Sequence, residues 1–267
     1  MSVPLSEDRQ SFEIISSLRY DPGLPRVATV YFSGYPEPLS SPYYLLTHHR
    51  DRLIAAAHYF QWDKALKWLQ QDSSSFERFL DGSILDRDKP WRLRVAVDSN
   101  GKGSIDVNPT AAIDPKNLLI PATRASIETP PWRVYVDTTS IIPSGFTTHK
   151  TTARDDYKAA RLRVGIMSLA ETSEVLIVNP EGEIAEGSIT TPYFRPRAGE
   201  HTINSEQCWI TPPLRCGGNA GTTRRYALTQ GFCVENAITR AELVDGEECW
   251  LSNGVRGFFR GIIILKS

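Results

Sequence analysis

The chain has 267 residues, of which 40% are hydrophobic and 23% are charged, and its formal net charge is −1 at pH 7. These values are typical of a globular protein with a substantial core and predict one or two domains. The near-zero charge gives no electrostatic reason to expect a nucleic-acid or membrane partner. No apolar run is long enough to span a bilayer, and residues 1–8 do not have the pattern of a signal peptide. We therefore expect a soluble, cytoplasmic protein.

The cysteines give no sign of a disulfide framework or of a metal site. Their positions, Cys208, Cys216, Cys233 and Cys249, contain no CxxC spacing. This pattern predicts reduced thiols, and we expect no metal ion.

The first half of the sequence has a mixed pattern of helices and strands. Apolar residues at helical spacing predict helices over residues 42–60 and about 62–80. Alternation of polar and apolar residues predicts a strand over 92–98. The Asn-Gly pair at 100–101 predicts a hairpin turn to a second strand over 104–107.

The second half contains more strands than helices. Residues 113–131 are irregular and rich in proline, and a domain junction is expected near 113–140. A helix is predicted from about 155 to 169. The predicted strands cover residues 133–137, 175–178, 193–194, 209–210, 232–234 and 249–251. The absence of a regular βαβ rhythm argues against a doubly wound parallel sheet.

The segment from Thr148 to Thr152 surrounds Lys150 with small hydroxyl residues, and the lone carboxylate Glu186 follows a predicted short strand downstream. A lysine amine can form a Schiff base with the aldehyde of pyridoxal phosphate, and a carboxylate can keep the pyridine nitrogen protonated. Taken singly, a solvated loop lysine and an exposed strand glutamate explain the same residues. His149 is expected to point away from the side of Lys150 and to be structural or to support a residue of the site from outside it.

A glycine-rich stretch over residues 217–221 leads into a helix predicted to begin near Thr222. The first turn of a helix has free backbone N–H groups, and its dipole favours an anion. The hydroxyls of Thr222 and Thr223 add donors, so a phosphate would fit here. A tight turn with a helix cap is an equally good interpretation of the pattern.

Two segments with arginine are further candidates for anion binding. One is His49–Leu53 on the first long helix, and the other is Ser252–Gly257, which follows a strand and contains Arg256. A planar guanidinium can bind a carboxylate or phosphate through two hydrogen bonds. A charged helix face and a plain turn are the alternatives.

These five elements occur in an order that resembles the fold-type IV pyridoxal-phosphate enzymes, the class IV aminotransferase family. The resemblance covers residues 12–257, and its first and last motifs are most similar to those of fungal-type 4-amino-4-deoxychorismate lyases. The motifs are His149–Tyr157, Glu186–Thr190, Trp209–Leu214, Gly221–Arg224 and Ser252–Gly257. The sequence departs from the family at Thr191-Pro192, where an asparagine is usual, and at Asn219-Ala220, where Leu-Pro is frequent.

The resemblance implies a role for each candidate residue. Lys150 is the residue that binds the cofactor and acts in catalysis, and Glu186 is the partner of the pyridine nitrogen. The residues implied to bind pyridoxal 5'-phosphate are Lys150, Glu186, Arg52, Thr222, Thr223, Asn253, Gly254 and Tyr157. Those assigned to the substrate are Arg256 and Thr191.

The resemblance also implies an α+β fold with two domains of the D-amino-acid aminotransferase or branched-chain aminotransferase type. These are a small α/β N-terminal domain, residues 1–125, and a larger barrel-like C-terminal domain, residues 126–267. A homodimer and a small-molecule substrate are expected. The implied reaction is that of an aminodeoxychorismate lyase. The alternatives are an aminotransferase acting on a branched-chain amino acid, a D-amino acid or an (R)-amine, and a non-catalytic binding protein that takes up no cofactor.

Overall fold

The computed structural model of the protein describes residues 11–31, 34–121, 129–197 and 208–265. The α-helices are α1 (Leu24–Tyr31), α2 (Leu46–Tyr59), α3 (Asp63–Leu69), α4 (Ser73–Asp81), α5 (Gly145–Thr148), α6 (Asp155–Arg163) and α7 (Thr222–Thr229). The strands are β1 (Ile14–Tyr20), β2 (Trp91–Val97), β3 (Gly103–Pro109), β4 (Trp132–Ser140), β5 (Ser173–Val178), β6 (Ile184–Gly187), β7 (Thr191–Tyr193), β8 (Trp209–Thr211), β9 (Cys233–Glu235), β10 (Glu248–Asn253) and β11 (Gly257–Ile263). The predicted α+β class is confirmed, while the predicted domain boundary at residue 125 lies outside the described residues.

Strands β1, β2 and β3 form an antiparallel sheet with β2 in the middle. The predicted hairpin between β2 and β3 is confirmed. Gly101 has a φ angle of +77°, and the Asp98 carboxylate accepts hydrogen bonds from the backbone N–H groups of Asn100 (2.9 Å) and Lys102 (2.8 Å). Glycine adopts this left-handed conformation without steric cost, which is why the Asn-Gly pair predicts the turn correctly.

The single helix predicted over residues 62–80 is wrong, because the chain forms two helices, α3 and α4, in this region. The guanidinium of Arg50, on α2, donates to the carbonyl oxygens of Leu69 (2.8 Å) and Gln71. These carbonyls lie at and just beyond the end of α3, where the helix itself offers no N–H partner. The break is therefore stabilised by a side chain 19 positions before Leu69, which local periodicity does not reveal.

Helix α6 ends at Arg163, earlier than the predicted end near residue 169. Gly165 follows with a φ angle of +81°. Its N–H donates to the carbonyl of Leu162 (3.0 Å), and the N–H of Ile166 donates to that of Arg161 (2.9 Å). This pair of bonds is a Schellman motif, which closes the helix with a left-handed glycine.

Strand β1 has no counterpart among the sequence predictions. All of its residues except Ser17 are buried, and they include the polar Ser16 and Arg19. The Arg19 guanidinium pairs with Asp21 at 2.6 Å and also donates to the carbonyl of Ala111. A strand covered on both faces loses the alternation of polar and apolar residues that marks an exposed strand.

The second half of the chain forms a six-stranded mixed sheet in the order β6-β5-β4-β11-β10-β7. Strand β4 runs parallel to both of its neighbours, and the other pairs are antiparallel. The edge strands β6 and β7 follow each other in the sequence, so the short turn over residues 188–190 brings the two edges together. This connection curls the sheet and confirms the barrel-like form that was expected. The strands predicted in this half are confirmed to within three residues at each end.

The remaining composition-based expectations concern the cysteines, metals and membranes. All four cysteines are free thiols, as predicted. In the described parts of the chain, histidine, cysteine and acidic side chains do not gather in a group of three that could hold a metal ion. None of the helices described is long and apolar enough to cross a membrane.

A fully buried carboxylate, Glu174 on β5, shapes the turn that joins β6 to β7. It accepts hydrogen bonds from the backbone N–H groups of Ser188 (3.0 Å) and Ile189 (3.1 Å) and from the hydroxyls of Ser188 (2.5 Å) and Thr190 (2.8 Å). A Cβ atom on Gly187 would lie 2.9 Å from the same carboxylate, so glycine is required there. One side chain thus satisfies four donors of this turn.

Replacing Glu174 with glutamine should destabilise the protein by about 2–3 kcal/mol, because the amide nitrogen cannot accept the hydrogen bonds of buried donors. The measurement is the free energy of unfolding in urea at neutral pH. Glu181→Gln provides the matched control, since Glu181 is exposed in a turn and the same change there should cost no more than about 0.5 kcal/mol. Equal stability of the two variants would contradict the role given to Glu174.

Candidate active site

A cavity of about 510 Å³ lies where residues of the three-stranded sheet meet those of the six-stranded sheet. Ser17 and Arg92 line it from the first sheet, and Glu186 and Ser252 line it from the second. Nine of the ten predicted site residues line this cavity. They are Arg52, Lys150, Glu186, Thr191, Thr222, Thr223, Asn253, Gly254 and Arg256. The structure therefore brings together residues as far apart in the sequence as Arg52 and Arg256.

Lys150 is held in place through its backbone. It follows the short helix α5, which begins with a capping box between Ser144 and Thr147. The Lys150 carbonyl accepts a hydrogen bond from the N–H of Ile15 at 2.9 Å, and Thr151 pairs with Ile14 across the gap to β1. The side chain enters the cavity, where burial and the neighbouring arginines lower the pKa of the ammonium group well below its usual value. A neutral amine is the nucleophilic form of lysine.

His149 lies on the other side of the chain from Lys150, as expected. Its ring packs against Tyr59, with the ring centres 4.6 Å apart, and against Phe60 at 5.9 Å. It lines a shallow surface depression and not the cavity that contains Lys150. The structure thus supports a packing role for His149.

Glu186 lies on β6 and is buried at the wall of the cavity. The Tyr157 hydroxyl donates to its carboxylate at 2.5 Å, and the backbone N–H of Asn219 is a second donor. Burial raises the pKa of Glu186, while Arg154 and these donors oppose the rise. Tyr157, the tenth predicted residue, does not line the cavity itself. It contacts Glu186 from outside the cavity through its hydroxyl hydrogen bond.

Arg154 belongs to this group, and sequence reasoning gave it no role of its own. Its guanidinium lies 3.6 Å from the centre of the Tyr157 ring and donates to the Ser188 carbonyl at 3.2 Å. Its other terminal nitrogen, Nη1, is buried and has no hydrogen-bond partner among the described residues. The signal that pointed to it was its position four residues after Lys150 within the lysine motif.

The start of α7 forms one end of the cavity. Its N-cap residue is Gly221, which has no side chain to occupy the free N–H groups of the first turn. Thr222 and Thr223 are buried there and line the cavity, as predicted. A Cβ atom on Gly221 would lie 2.9 Å from the hydroxyl of Thr191, so the predicted substrate residue Thr191 lies against this end.

Arg52 places a positive charge beside the start of α7. Its guanidinium donates to the side-chain oxygen of Asn219 at 2.9 Å and to the carbonyl of Ala220 at 3.4 Å. Burial lowers the pKa of Arg52 to about 10, so the side chain is still charged at neutral pH. A guanidinium and a free helix N-terminus together form a site for a phosphate or similar anion.

Asn253 and Gly254 form a third wall at this end. The side-chain oxygen of Asn253 accepts from the N–H groups of Val255 (3.0 Å) and Arg256 (2.8 Å), which closes a tight turn. Gly254 leaves no room for a side chain, because a Cβ atom would lie 2.8 Å from the carbonyl of Ser17. The asparagine therefore shapes the loop that lines the cavity.

Arg256 and Arg92 also line the cavity. Arg256 donates to the carbonyl of Leu169 at 3.1 Å, and its guanidinium lies 5.1 Å from the centre of the Trp132 ring. Burial lowers the pKa of both arginines, and Arg92 lowers that of Arg256 further. Sequence reasoning identified Arg256 but missed Arg92. Arg92 begins the predicted strand 92–98, where the alternation of polar and apolar residues already accounted for an arginine.

Comparison with known proteins gives two sequences that resemble this chain and solved structures that share its fold. The aminodeoxychorismate lyase of Saccharomyces cerevisiae is 33% identical over 145 residues, which is 51% of this chain and 38% of the yeast protein. A Schizosaccharomyces pombe protein provisionally named aminodeoxychorismate lyase is 24% identical over 228 residues, 84% of this chain and 85% of that protein. The structure of a Mesorhizobium loti protein, provisionally named an amino-acid aminotransferase, has a TM-score of 0.69 and 21% identity, covering 95% of this chain and 100% of that one. This last likeness shows a shared fold.

The family match extends over most of the sequence. Residues 39–262 fit the model of amino-transferase class IV. This range contains Arg52, Lys150, Glu186 and the start of α7, which meet around one cavity. The chain therefore belongs to the class IV aminotransferase family.

Proposed function

We propose that this chain is a pyridoxal-phosphate-dependent 4-amino-4-deoxychorismate lyase, which eliminates pyruvate and releases 4-aminobenzoate for folate synthesis. The observation that carries the proposal is the meeting of Lys150 and Glu186 in one cavity whose end is built for an anion. The yeast relative, which is named as an aminodeoxychorismate lyase, supports this reaction over transamination.

The side chains of the cavity fit pyridoxal phosphate. Arg52 and the start of α7 would hold the phosphate. Glu186 is a buried carboxylate with a raised pKa, so a cation such as a protonated pyridine nitrogen would stabilise its charged form. When bound, this cofactor withdraws electrons from the carbon that carries the substrate's amine and makes its hydrogen acidic.

Lys150 would bind the cofactor aldehyde and then act as the base. Burial and the charges of Arg52 and Arg154 lower the pKa of its amine well below the usual value, which favours the neutral form with a free electron pair on Nζ. Nζ would take the proton from the carbon that bears the amine. The C–O bond to the three-carbon group would then break with its electron pair going to oxygen, so the group would leave as the enolate of pyruvate, whose CH₂ carbon takes up a proton. The six-membered ring would become aromatic, which makes the reaction favourable.

Glu186 would keep a proton on the pyridine nitrogen throughout this reaction. The hydrogen bond from Tyr157 fixes the orientation of the carboxylate, and Arg154 favours its charged form. Arg256 would bind a carboxylate of the substrate, because a planar guanidinium offers two parallel donors. Thr191 would contribute to the wall around the bound molecule.

The assembly and the location are part of the same proposal. We infer a cytoplasmic homodimer from the resemblance to the family and from the reduced cysteines. The division into domains 1–125 and 126–267 also remains a proposal, and the cavity has lining residues from both ranges, such as Arg52 and Lys150.

The purified protein with bound cofactor should convert 4-amino-4-deoxychorismate to equal amounts of 4-aminobenzoate and pyruvate without any keto acid. A lyase needs no second substrate, whereas an aminotransferase requires a keto-acid acceptor. Both products would be followed together over many turnovers. Amine consumption only when a keto acid is added would identify the aminotransferase, and failure to take up cofactor would indicate a binding protein.

Replacing Lys150 with alanine should abolish the absorption band of the cofactor linked to lysine and lower kcat by about 10²- to 10⁴-fold, because the amine is both the attachment point and the base. The measurements are the visible spectrum and turnover. Lys158→Ala is the matched control, since Lys158 is exposed on α6. Full activity in the Lys150 variant would exclude the assigned role.

Replacing Glu186 with glutamine should leave the cofactor bound but slow proton abstraction by about 10²-fold or more, because a neutral amide does not hold the pyridine nitrogen protonated. Cofactor content and kcat are measured on the same sample. Glu181→Gln makes the same change at an exposed position and should retain normal kcat. An unchanged rate in the Glu186 variant would argue against its role.

A further inference from the structure

A buried hydrogen-bond chain of Ser16, His49 and Thr222 ends at the start of α7, and the sequence analysis gave His49 no role. We propose that His49 is a positioning residue that holds the Thr222 hydroxyl as a donor toward a phosphate in the cavity. This inference rests on the proposed function, because the phosphate is that of the cofactor.

The His49 ring has no exposed surface and touches three elements that surround the cavity. Its Nδ1 lies 2.7 Å from the Ser16 hydroxyl, and its Nε2 lies 3.5 Å from the Thr222 hydroxyl. A Cβ atom on Gly254 would lie 2.5 Å from the ring. The ring therefore packs directly beneath the loop and the helix start that form the anion end.

The direction of the hydrogen bonds among Ser16, His49 and Thr222 follows from which of their buried groups must donate. Burial and the nearby charge of Arg52 lower the pKa of His49 well below its usual value, so the ring is neutral and carries one proton. Within the described residues, Nδ1 is the partner of the Ser16 hydroxyl, which must donate to it or leave a buried donor unpaired. The ring proton is then on Nε2 and points to the Thr222 oxygen. The proton of Thr222 is left free for an acceptor in the cavity.

A second series of hydrogen bonds gives the same arrangement at the next residue, Thr223. The Tyr193 hydroxyl lies 2.8 Å from that of Ser252, which donates to the Thr223 hydroxyl at 2.7 Å. Tyr193 and Ser252 have no exposed surface, and burial raises the pKa of the phenol, so Tyr193 remains a donor. Both threonine oxygens thus accept from within the protein, which leaves both threonine protons for the cavity.

The arrangement matches what a phosphate requires. A phosphate accepts hydrogen bonds and donates few, so donors that already point at it cost no reorientation when it binds. The free N–H groups of α7 are fixed by the helix, but a threonine hydroxyl can rotate. His49 removes this freedom for Thr222.

The test uses the full chain freed of cofactor, titrated with pyridoxal phosphate and with pyridoxal, which has no phosphate. His49→Asn replaces the ring with a side chain that reaches only the position of Nδ1. It should raise the Kd for pyridoxal phosphate about tenfold and change that for pyridoxal less than about twofold. His49→Gln places an amide near the position of Nε2 and should restore phosphate binding to within about threefold of the unmodified protein.

A purely structural role predicts a different result, in which His49→Asn weakens both ligands equally or His49→Gln fails to restore the preference. Either result would overturn the proposal. Thr222→Val removes the hydroxyl without altering the histidine and should reproduce the selective loss, and normal binding of both ligands by this variant would also overturn it. If the unmodified protein shows no preference for the phosphorylated ligand, the proposed cofactor itself is wrong.

Discussion

The structure around the cavity depends on how the protein accommodates the buried carboxylate of Glu186. Removing a carboxylate from water costs several kcal/mol unless charges and hydrogen bonds replace its hydration. The Tyr157 hydroxyl and the Arg154 guanidinium, at the start of α6, and the Asn219 N–H, in the loop before α7, supply that replacement. Helix α6, the loop before α7 and strand β6 are therefore fixed relative to one another by one charge, and Lys150 and Arg52 face the space that they enclose.

A second buried carboxylate, that of Glu174, helps to determine the position of Glu186. Glu174 binds the turn after β6 through backbone and side-chain donors of residues 188–190. The guanidinium of Arg161, on α6, donates to the Ser188 hydroxyl at 2.9 Å, which connects the turn to the same helix that carries Tyr157. The closure of the sheet and the position of Glu186 thus depend on one hydrogen-bond network, because the residue that begins the turn immediately follows β6.

Sequence reasoning succeeded where the physical signal is local. The Asn-Gly hairpin and the helix start at Thr222 depend on neighbouring residues, and two residues chosen from the family motifs, Lys150 and Glu186, line one cavity. It failed where distant groups decide the outcome. The break between α3 and α4 depends on Arg50, and strand β1 is covered on both faces. Arg154 and His49 were not singled out, since their contacts with Ser188 and Thr222 form only when the chain folds. The end of α6 was predicted wrongly for another reason. Gly165, which closes this helix in a Schellman motif, is visible in the sequence but was overlooked.

The cavity is lined by more positive than negative side chains, although the whole chain is nearly neutral. This excess of positive charge favours an anionic ligand. The protein has a net charge of −1, yet among the residues that the structure describes, the ionisable side chains that line the cavity are four arginines, Lys150 and a single acid, Glu186. Like charges buried together destabilise a fold unless something compensates them. Under the proposed function, a phosphate held by Arg52 would neutralise only part of this positive charge. A substrate that carries carboxylates would neutralise more of it, which favours an acidic amine over an uncharged one as the substrate.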